Sequence, residues 1–127
     1  MVTRTVILTN NSSSTFPVNE LCPILTVDLA ALSHNYKALQ KKSGTAKLAT
    51  VVKADAYGLG IDNIVPVLET AGCKCFFVAT ASEANALRQI TVDNDIYIMN
   101  GLTCDGEALA DKKLSPCLAS AEEVSRW

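Results

Sequence analysis

Residues 51–60 read Val-Val-Lys-Ala-Asp-Ala-Tyr-Gly-Leu-Gly, which places a lysine at the end of an apolar run and a glycine-rich turn directly after it. The run from Leu48 to Val52 is typical of a buried strand. Burial of a lysine disfavours the ammonium form, which makes the amine nucleophilic enough to form a Schiff base. Taken alone, these residue types favour a simpler interpretation, a solvated lysine at a strand end, because strand-to-helix turns are often rich in glycine.

Strand and helix patterns alternate on both sides of this stretch. Apolar runs predict strands over residues 24–27, 47–53, 75–79, 96–99 and 116–119. Helical spacing and capping residues predict helices that begin after Asp28, near Asp62, and after Thr80, Asp105 and Ser120. Short alternating strands and helices imply parallel pairing through crossover helices. On this pattern alone, a barrel and an open doubly wound sheet fit equally well.

Two of the helices carry more detailed expectations. The first is predicted to end at Gly44 and to bury a stripe made of Leu29, Leu32, Tyr36 and Leu39. The second contains Pro66, which lacks a backbone N–H and is therefore placed in the first turn. Its predicted buried face is made of Ile64, Val65, Leu68 and Ala71, before Gly72 ends the helix.

The string at residues 51–60 resembles the pyridoxal-phosphate attachment site of alanine racemases, whose usual form is VVKANAYGHG. Asp55 replaces the usual asparagine, and Leu59 replaces the usual histidine. The resemblance extends over about residues 24 to 120 through further spaced motifs. These are Thr26-Val27-Asp28-Leu29 with Asn35, Phe77-Val78-Ala79-Thr80 with Glu83-Ala84 and Leu87-Arg88, and the run from Ile96 to Gly101.

The resemblance selects the barrel. It implies an α/β fold that is the N-terminal half of a PLP-binding (β/α)8 TIM-type barrel, with Lys53 on the first barrel strand. The strand near Ile24 would then belong with the family's second, β-rich domain. A complete barrel needs roughly 250 residues, so this chain of 127 residues is expected to be the N-terminal piece of a longer enzyme. We expect a flexible tail over residues 1–20 and an incomplete barrel domain over residues 21–127.

The same resemblance implies the site residues. Lys53 would hold pyridoxal 5'-phosphate as the Schiff-base lysine and move the substrate's α-proton on one face. Tyr57 would contact the cofactor phosphate, or pack as a turn aromatic over the barrel mouth. Val51, which shares a strand face with Lys53, would pack beneath the cofactor ring or be a plain core valine. Glu83 and Arg88 are expected to cap and decorate their helix rather than touch substrate. The base on the opposite face would be a tyrosine from the partner subunit's second domain, outside this chain.

The implied function is the interconversion of L-alanine and D-alanine, which supplies D-alanine for peptidoglycan, in a cytoplasmic homodimer. A serine or broad-specificity amino-acid racemase of the same family is one alternative. A non-catalytic PLP-binding barrel protein is another, although such relatives lack the continuation seen at residues 56–60. The 127-residue chain by itself is expected to be inactive. Its half-barrel is expected to expose interior-facing apolar residues, namely Val51, Phe77 and Ile98 or their neighbours.

Composition excludes other classes of function. The net charge of −2 argues against a nucleic-acid partner, and no apolar run approaches the ~20 residues of a membrane span. The five cysteines are odd in number and irregularly spaced, so we expect structural thiols rather than a disulfide framework. No metal site is predicted, because Cys73 and Cys75 are the only close pair and His34, the sole histidine, lies far away in sequence.

Overall fold

A computed structural model of the chain describes residues 5–7 and 25–127. The strands in these residues are β1 (Thr5–Ile7), β2 (Thr26–Asp28), β3 (Thr50–Val51), β4 (Cys75–Val78), β5 (Asp95–Ile98) and β6 (Leu114–Pro116). The helices are α1 (Leu29–Ser43), α2 (Lys53–Gly58), α3 (Ile61–Thr70), α4 (Ala81–Ile90), α5 (Gly106–Ala110) and α6 (Ala121–Arg126). The predicted alternation of strands and helices is confirmed.

Four strands form one parallel sheet in the order β3-β4-β5-β6. At least one helix lies between each pair of consecutive strands of this sheet, as parallel pairing requires. Hydrogen bonds extend the ladder past the strand ends, because Val52 N–H donates to the Phe77 carbonyl oxygen at 2.8 Å and Met99 N–H donates to that of Val78 at 2.8 Å. The expected α/β class with parallel strands is therefore confirmed.

The two faces of this sheet differ in burial. One register row, Thr50–Phe76–Ile96–Leu114, includes three apolar side chains that are at most 1% exposed. The neighbouring row, Val51–Phe77–Tyr97–Ser115, lies on the opposite face, because side chains alternate along each strand. We call this second row the open face. Its Val51 is 38% exposed, and its other three residues are half-buried.

The open face decides between Ile98 and its neighbours, which the sequence left open. Val51 and Phe77 lie on it as predicted, but Ile98 is fully buried on the opposite face and its neighbour Tyr97 takes the open position. The rings of Phe77 and Tyr97 stack with their centroids 5.0 Å apart and their planes 20° from parallel. An aromatic pair therefore covers the middle of this face.

Strands β1 and β2 form a separate antiparallel pair, in which Thr5 lies opposite Asp28 and Ile7 lies opposite Thr26. The strand predicted near Ile24 is thus β2, and it lies outside the parallel sheet. Apart from β1, the predicted tail over residues 1–20 lies outside the described residues, so its flexibility stays a prediction.

Side-chain caps begin the helices where the sequence indicates. The Asp28 carboxylate accepts hydrogen bonds from Ala30 N–H at 2.9 Å and Ala31 N–H at 3.0 Å at the start of α1. Thr80 and Glu83 form a complete capping box at the start of α4. Gly44 ends α1 with a positive φ of 62°, which glycine adopts without steric cost.

Three local predictions are wrong. Leu39 is 56% exposed, because it lies at the edge of the α1 stripe, whose buried members are Leu29 and Tyr36. Pro66 is the sixth residue of α3 rather than a first-turn residue. The strand predicted over residues 116–119 is instead Leu114–Pro116, because Leu114 pairs with Ile96 and fills the core.

Candidate active site

Lys53 lies at the carboxyl end of β3, next to the open face. The sequence placed it within the strand, but β3 ends at Val51 and Lys53 is the first residue of α2. Val52 between them is 2% exposed and bonded into the sheet, whereas Lys53 itself is half-buried. The lysine thus leaves the sheet at the edge where active sites of parallel α/β barrels lie.

The turn that carries Lys53 is left-handed. Four consecutive residues, Ala54 to Tyr57, have φ between 50° and 56° and ψ between 37° and 50°. Each non-glycine residue in this conformation costs roughly 1–2 kcal/mol. Gly58 and Gly60, with φ of 82° and 86°, are therefore only part of how the chain turns. Such backbone strain persists only where surrounding contacts hold it.

Asp55 supplies one set of those contacts. Its side-chain oxygen accepts a hydrogen bond from Ile61 N–H at 2.7 Å, at the start of α3. Its backbone carbonyl oxygen accepts another from Gly60 N–H at 2.9 Å. The Asp55 side chain therefore ties the turn to the start of α3. An asparagine, which the alanine racemase motif usually has at this position, offers the same side-chain oxygen as an acceptor.

Glu83 supplies the second set of contacts that hold the left-handed turn. One carboxylate oxygen accepts a hydrogen bond from Ala54 N–H at 2.9 Å, and the other accepts from Ala79 N–H at 2.7 Å and Thr80 N–H at 3.3 Å. Burial alone would raise the pKa of Glu83, but these three N–H donors and the positive charge of Lys53 hold that pKa below its usual value. The carboxylate therefore stays charged while it joins the ends of two neighbouring strands.

A cavity of about 250 Å³ lies between α2, α3 and α4, and its lining includes Val52, Val78, Leu87 and the two carboxylate residues Asp55 and Glu83. The turn is consequently not packed tightly against the helices on this side. On this side, the hydrogen bonds that Ala54 N–H and Ile61 N–H donate to the two carboxylates hold its shape.

The other predicted site residues are placed as follows. Tyr57 is 63% exposed at the end of the left-handed run, and Val51 lies on the open face two residues before Lys53. Their contacts with a cofactor stay predictions. Arg88 has a structural role, as the sequence suggested, because its guanidinium donates hydrogen bonds to five backbone carbonyl groups. These belong to Thr91, Val92, Asn94, Lys112 and Lys113.

Neither metal-binding nor membrane-spanning features occur in the part of the chain that the structure describes. No group of three or more histidine, cysteine, aspartate or glutamate side chains there is arranged to hold a metal ion. Cys73, Cys75, Cys104 and Cys117 are free thiols, and Cys22 lies outside the described residues. None of the described helices is both long and apolar enough to cross a bilayer.

Comparison of the chain with models of known protein families identifies the family to which it belongs. The family model described as "Alanine racemase, N-terminal domain" matches residues 27–127. The chain belongs to this alanine racemase family. The matched range contains the Lys53 turn, the whole parallel sheet and Glu83.

Two alanine racemases illustrate the relationship in sequence. The biosynthetic alanine racemase of Agrobacterium fabrum is 42% identical over an alignment 127 residues long, and the match covers 94% of this chain and 32% of that enzyme. The alanine racemase of Brucella ovis is 45% identical over 106 residues, which cover 82% of this chain and 27% of that enzyme. The chain therefore spans less than a third of the length of these racemases.

Solved alanine racemase structures share the fold. The alanine racemase of Bartonella henselae, with covalently bound pyridoxal phosphate, matches 80% of this chain with a TM-score of 0.75 and 35% identity. The alanine racemase of Corynebacterium glutamicum matches 77% with a TM-score of 0.68 and 33% identity. This chain covers 29% of each structure. The α/β fold described above is thus that of part of an alanine racemase.

Sequence reasoning missed one functional connection in this alanine racemase family member. It recognised Glu83 as a capping-box residue but did not anticipate that its carboxylate also reaches Ala54, 29 positions earlier. The Thr80–Glu83 spacing was the available signal. Whether the Ala54 N–H lies within reach of the Glu83 carboxylate depends on strand order, which a local motif does not encode.

Proposed function

We propose that this chain forms the cofactor-anchoring part of a pyridoxal-phosphate-dependent alanine racemase, which interconverts L-alanine and D-alanine. The observation that carries the proposal is the position of Lys53, at the carboxyl end of a parallel strand in a member of this family. Residues 21–127 would contribute to a barrel domain, preceded by a tail over residues 1–20.

The residues around Lys53 suit pyridoxal phosphate. The lysine provides a primary amine that can bond covalently to the cofactor aldehyde, and it is half-buried rather than freely solvated. Val51, Phe77 and Tyr97 provide an adjacent apolar surface for an aromatic ring. Tyr57, with its exposed phenol, offers a hydrogen-bond donor for the phosphate.

Each residue then has a defined task. When bound, pyridoxal phosphate delocalises the charge that develops at the substrate α-carbon. Lys53 would hold the cofactor through its amine and would move the substrate α-proton on one face. Tyr57 would bind the cofactor phosphate, and Val51 would pack against the ring. The opposite face requires a second base, which we place in the remainder of the enzyme.

The assembly and setting follow from the same proposal. We infer a homodimer, because a tyrosine from the partner subunit would serve the opposite face. The product D-alanine would supply peptidoglycan synthesis in the cytoplasm, with neither nucleic acid nor membrane as a partner. The proposed substrate, alanine, rests on the names of relatives such as the Agrobacterium fabrum enzyme.

Borohydride trapping tests the anchoring role. The chain would be incubated with pyridoxal 5'-phosphate, reduced with borohydride and mapped by peptide mass spectrometry. We expect the label on the peptide containing Lys53, because its amine lies at the mouth of the sheet. Lys47 and Lys74 are exposed lysines of the same chain and serve as internal controls.

Preferential labelling of either control lysine would contradict the assignment. In the whole enzyme that contains this chain, Lys53→Ala should abolish both covalent cofactor and racemisation. Lys74→Arg should leave both unchanged. Retained racemisation in the Lys53 variant would show that another residue carries the chemistry.

A further inference from the structure

Both peptide units that flank the Cα of Lys53 are held by hydrogen bonds. The Val52 carbonyl oxygen, which belongs to the unit before Lys53, accepts from Ala56 N–H at 3.0 Å. The Ala54 N–H, which belongs to the unit after it, donates to Glu83 at 2.9 Å. Because each peptide unit is planar and rigid, these two bonds set the backbone direction on both sides of the lysine.

Glu83 is itself held in place from the neighbouring strand. Its second carboxylate oxygen accepts from Ala79 N–H and Thr80 N–H at the end of β4, and its own N–H donates to Thr80 Oγ1 at 3.2 Å. A glutamate suits this position because a carboxylate only accepts hydrogen bonds and has two oxygens for the three donors. A glutamine would present its NH2 group to one of those donors.

The same arrangement recurs two strands further along the sheet. Glu123 N–H donates to Ser120 Oγ at 3.1 Å. The Glu123 carboxylate accepts from Ala119 N–H at 2.6 Å and from Leu102 N–H, after the preceding strand, at 3.3 Å. Each glutamate thus joins the loop of its own strand to the loop of the strand before it. Of the two, only Glu83 holds the turn that carries a lysine.

We infer that Glu83 is a positioning residue for Lys53: its carboxylate holds the left-handed turn so that the lysine amine is presented to an aldehyde at the mouth of the sheet. This inference rests on the proposed function and deepens it. Glu83 reaches Lys53 through the backbone of Ala54 rather than through the reacting atoms. It therefore acts on the reactivity of the lysine and not directly on the substrate.

The test measures labelling of Lys53 by pyridoxal 5'-phosphate in Glu83→Gln, Glu123→Gln and the unmodified chain. The amine adds to the aldehyde carbon, water leaves, and borohydride donates hydride to the resulting C=N bond. We expect Glu83→Gln to lower the rate of Lys53 labelling relative to Lys74 by about tenfold, the factor for one hydrogen bond to a charged acceptor. Glu123→Gln should leave that ratio unchanged.

Hydrogen exchange at the Ala54 amide gives a readout that needs no cofactor. That amide should be protected in the unmodified chain and in Glu123→Gln, and should lose its protection in Glu83→Gln. Thr80→Ala removes the α4 cap and the bond to Glu83 N–H but keeps all three N–H donors to the Glu83 carboxylate, so it should lower the protection and the labelling ratio less than Glu83→Gln does. Glu83→Asp, which keeps the charge but shortens the reach, should give an intermediate ratio and provides a milder variant if Glu83→Gln does not fold.

The outcomes separate this inference from the proposed function. If pyridoxal 5'-phosphate does not label Lys53 in preference to Lys74 in the unmodified chain, the proposed function fails. Hydrogen exchange at the Ala54 amide then tests by itself whether Glu83 holds the turn. If Lys53 is preferred but Glu83→Gln changes neither labelling nor exchange, the inference is overturned while the proposed function stands. An equal loss in Thr80→Ala would also overturn it, because the effect would then act through α4.

Discussion

At the scale of single residues, two carboxylates hold the backbone around Lys53. Asp55 binds the start of α3 and Glu83 binds the Ala54 amide, so each satisfies N–H groups that lack helical partners. The Asp55 carboxylate also lies at the positive end of the α3 dipole, where negative charge is favourable. Asp55 therefore caps α3 from a distance of six residues, because Gly60 at the usual capping position has no side chain to offer.

We predict that Asp55→Ala lowers the free energy of unfolding by about 1 kcal/mol, the usual cost of losing a helix cap. Asp55→Asn keeps the acceptor oxygen and loses only the charge of an exposed side chain, so its cost should be smaller, about 0.3 kcal/mol. Urea unfolding of both variants measures the difference. A loss in Asp55→Asn as large as that in Asp55→Ala would show that charge, rather than the hydrogen bond to Ile61, carries the effect.

At the scale of secondary-structure elements, α2 is the unusual segment. Its left-handed residues include two alanines and an aromatic residue, none of which favours positive φ. Ala56 within it is only 4% exposed, and its N–H bonds back to Val52. Tertiary contacts and the two carboxylates therefore impose a conformation that the residues themselves do not prefer.

Glycine substitution tests this strain. In an ordinary exposed helix position, such as Ala38 in α1, replacing alanine by glycine should destabilise the fold by about 1 kcal/mol. At Ala54 the same change relieves a left-handed penalty of roughly 1–2 kcal/mol, so Ala54→Gly should be neutral or stabilising. Urea unfolding of the two variants provides the comparison. Equal destabilisation at both positions would show that Ala54 carries no such strain.

At the scale of the whole molecule, the described part of the chain forms a four-stranded sheet with helices packed against one face. The other face presents Val51, Phe77 and Tyr97, and the outer strands β3 and β6 each have an unpaired edge within the described residues. An apolar side chain left in water forgoes about 1.5–3 kcal/mol of burial energy. Unpaired strand edges also invite pairing with another chain. Both features favour association.

We predict that the 127-residue chain self-associates at micromolar concentration, which sedimentation velocity would detect. Tyr97→Lys places a charge on the open face and should weaken association while the helical circular dichroism is retained. Ile98→Lys, one residue later on the fully buried face, should abolish the fold. A monomer at high micromolar concentration with one sharp unfolding transition would contradict the prediction.

Much of the architecture was predictable because its causes are local. Asp28 and Thr80 mark helix starts, because their side chains accept hydrogen bonds from N–H groups only two or three residues ahead. Apolar runs predict the strands, and Lys53 is identified by its own ten-residue string. The predictions were wrong where tertiary packing, rather than the local pattern, decided which residues form an element. Leu114 rather than residues 117–119 forms the last strand, because it is the residue that fills the core opposite Ile96.

The sequence by itself therefore determined the α/β alternation, the helix caps, the family and the lysine at the centre of the proposed site. Only the tertiary structure decided the left-handed path from Ala54 to Tyr57 and the reach of Glu83 to the Ala54 amide. The physical reason is that a capping side chain binds backbone N–H groups within one helical turn, so local sequence is enough to predict it. A strained turn persists only when a strand 26 residues away in sequence, paired as Val51 with Phe77, brings the Glu83 carboxylate alongside the turn.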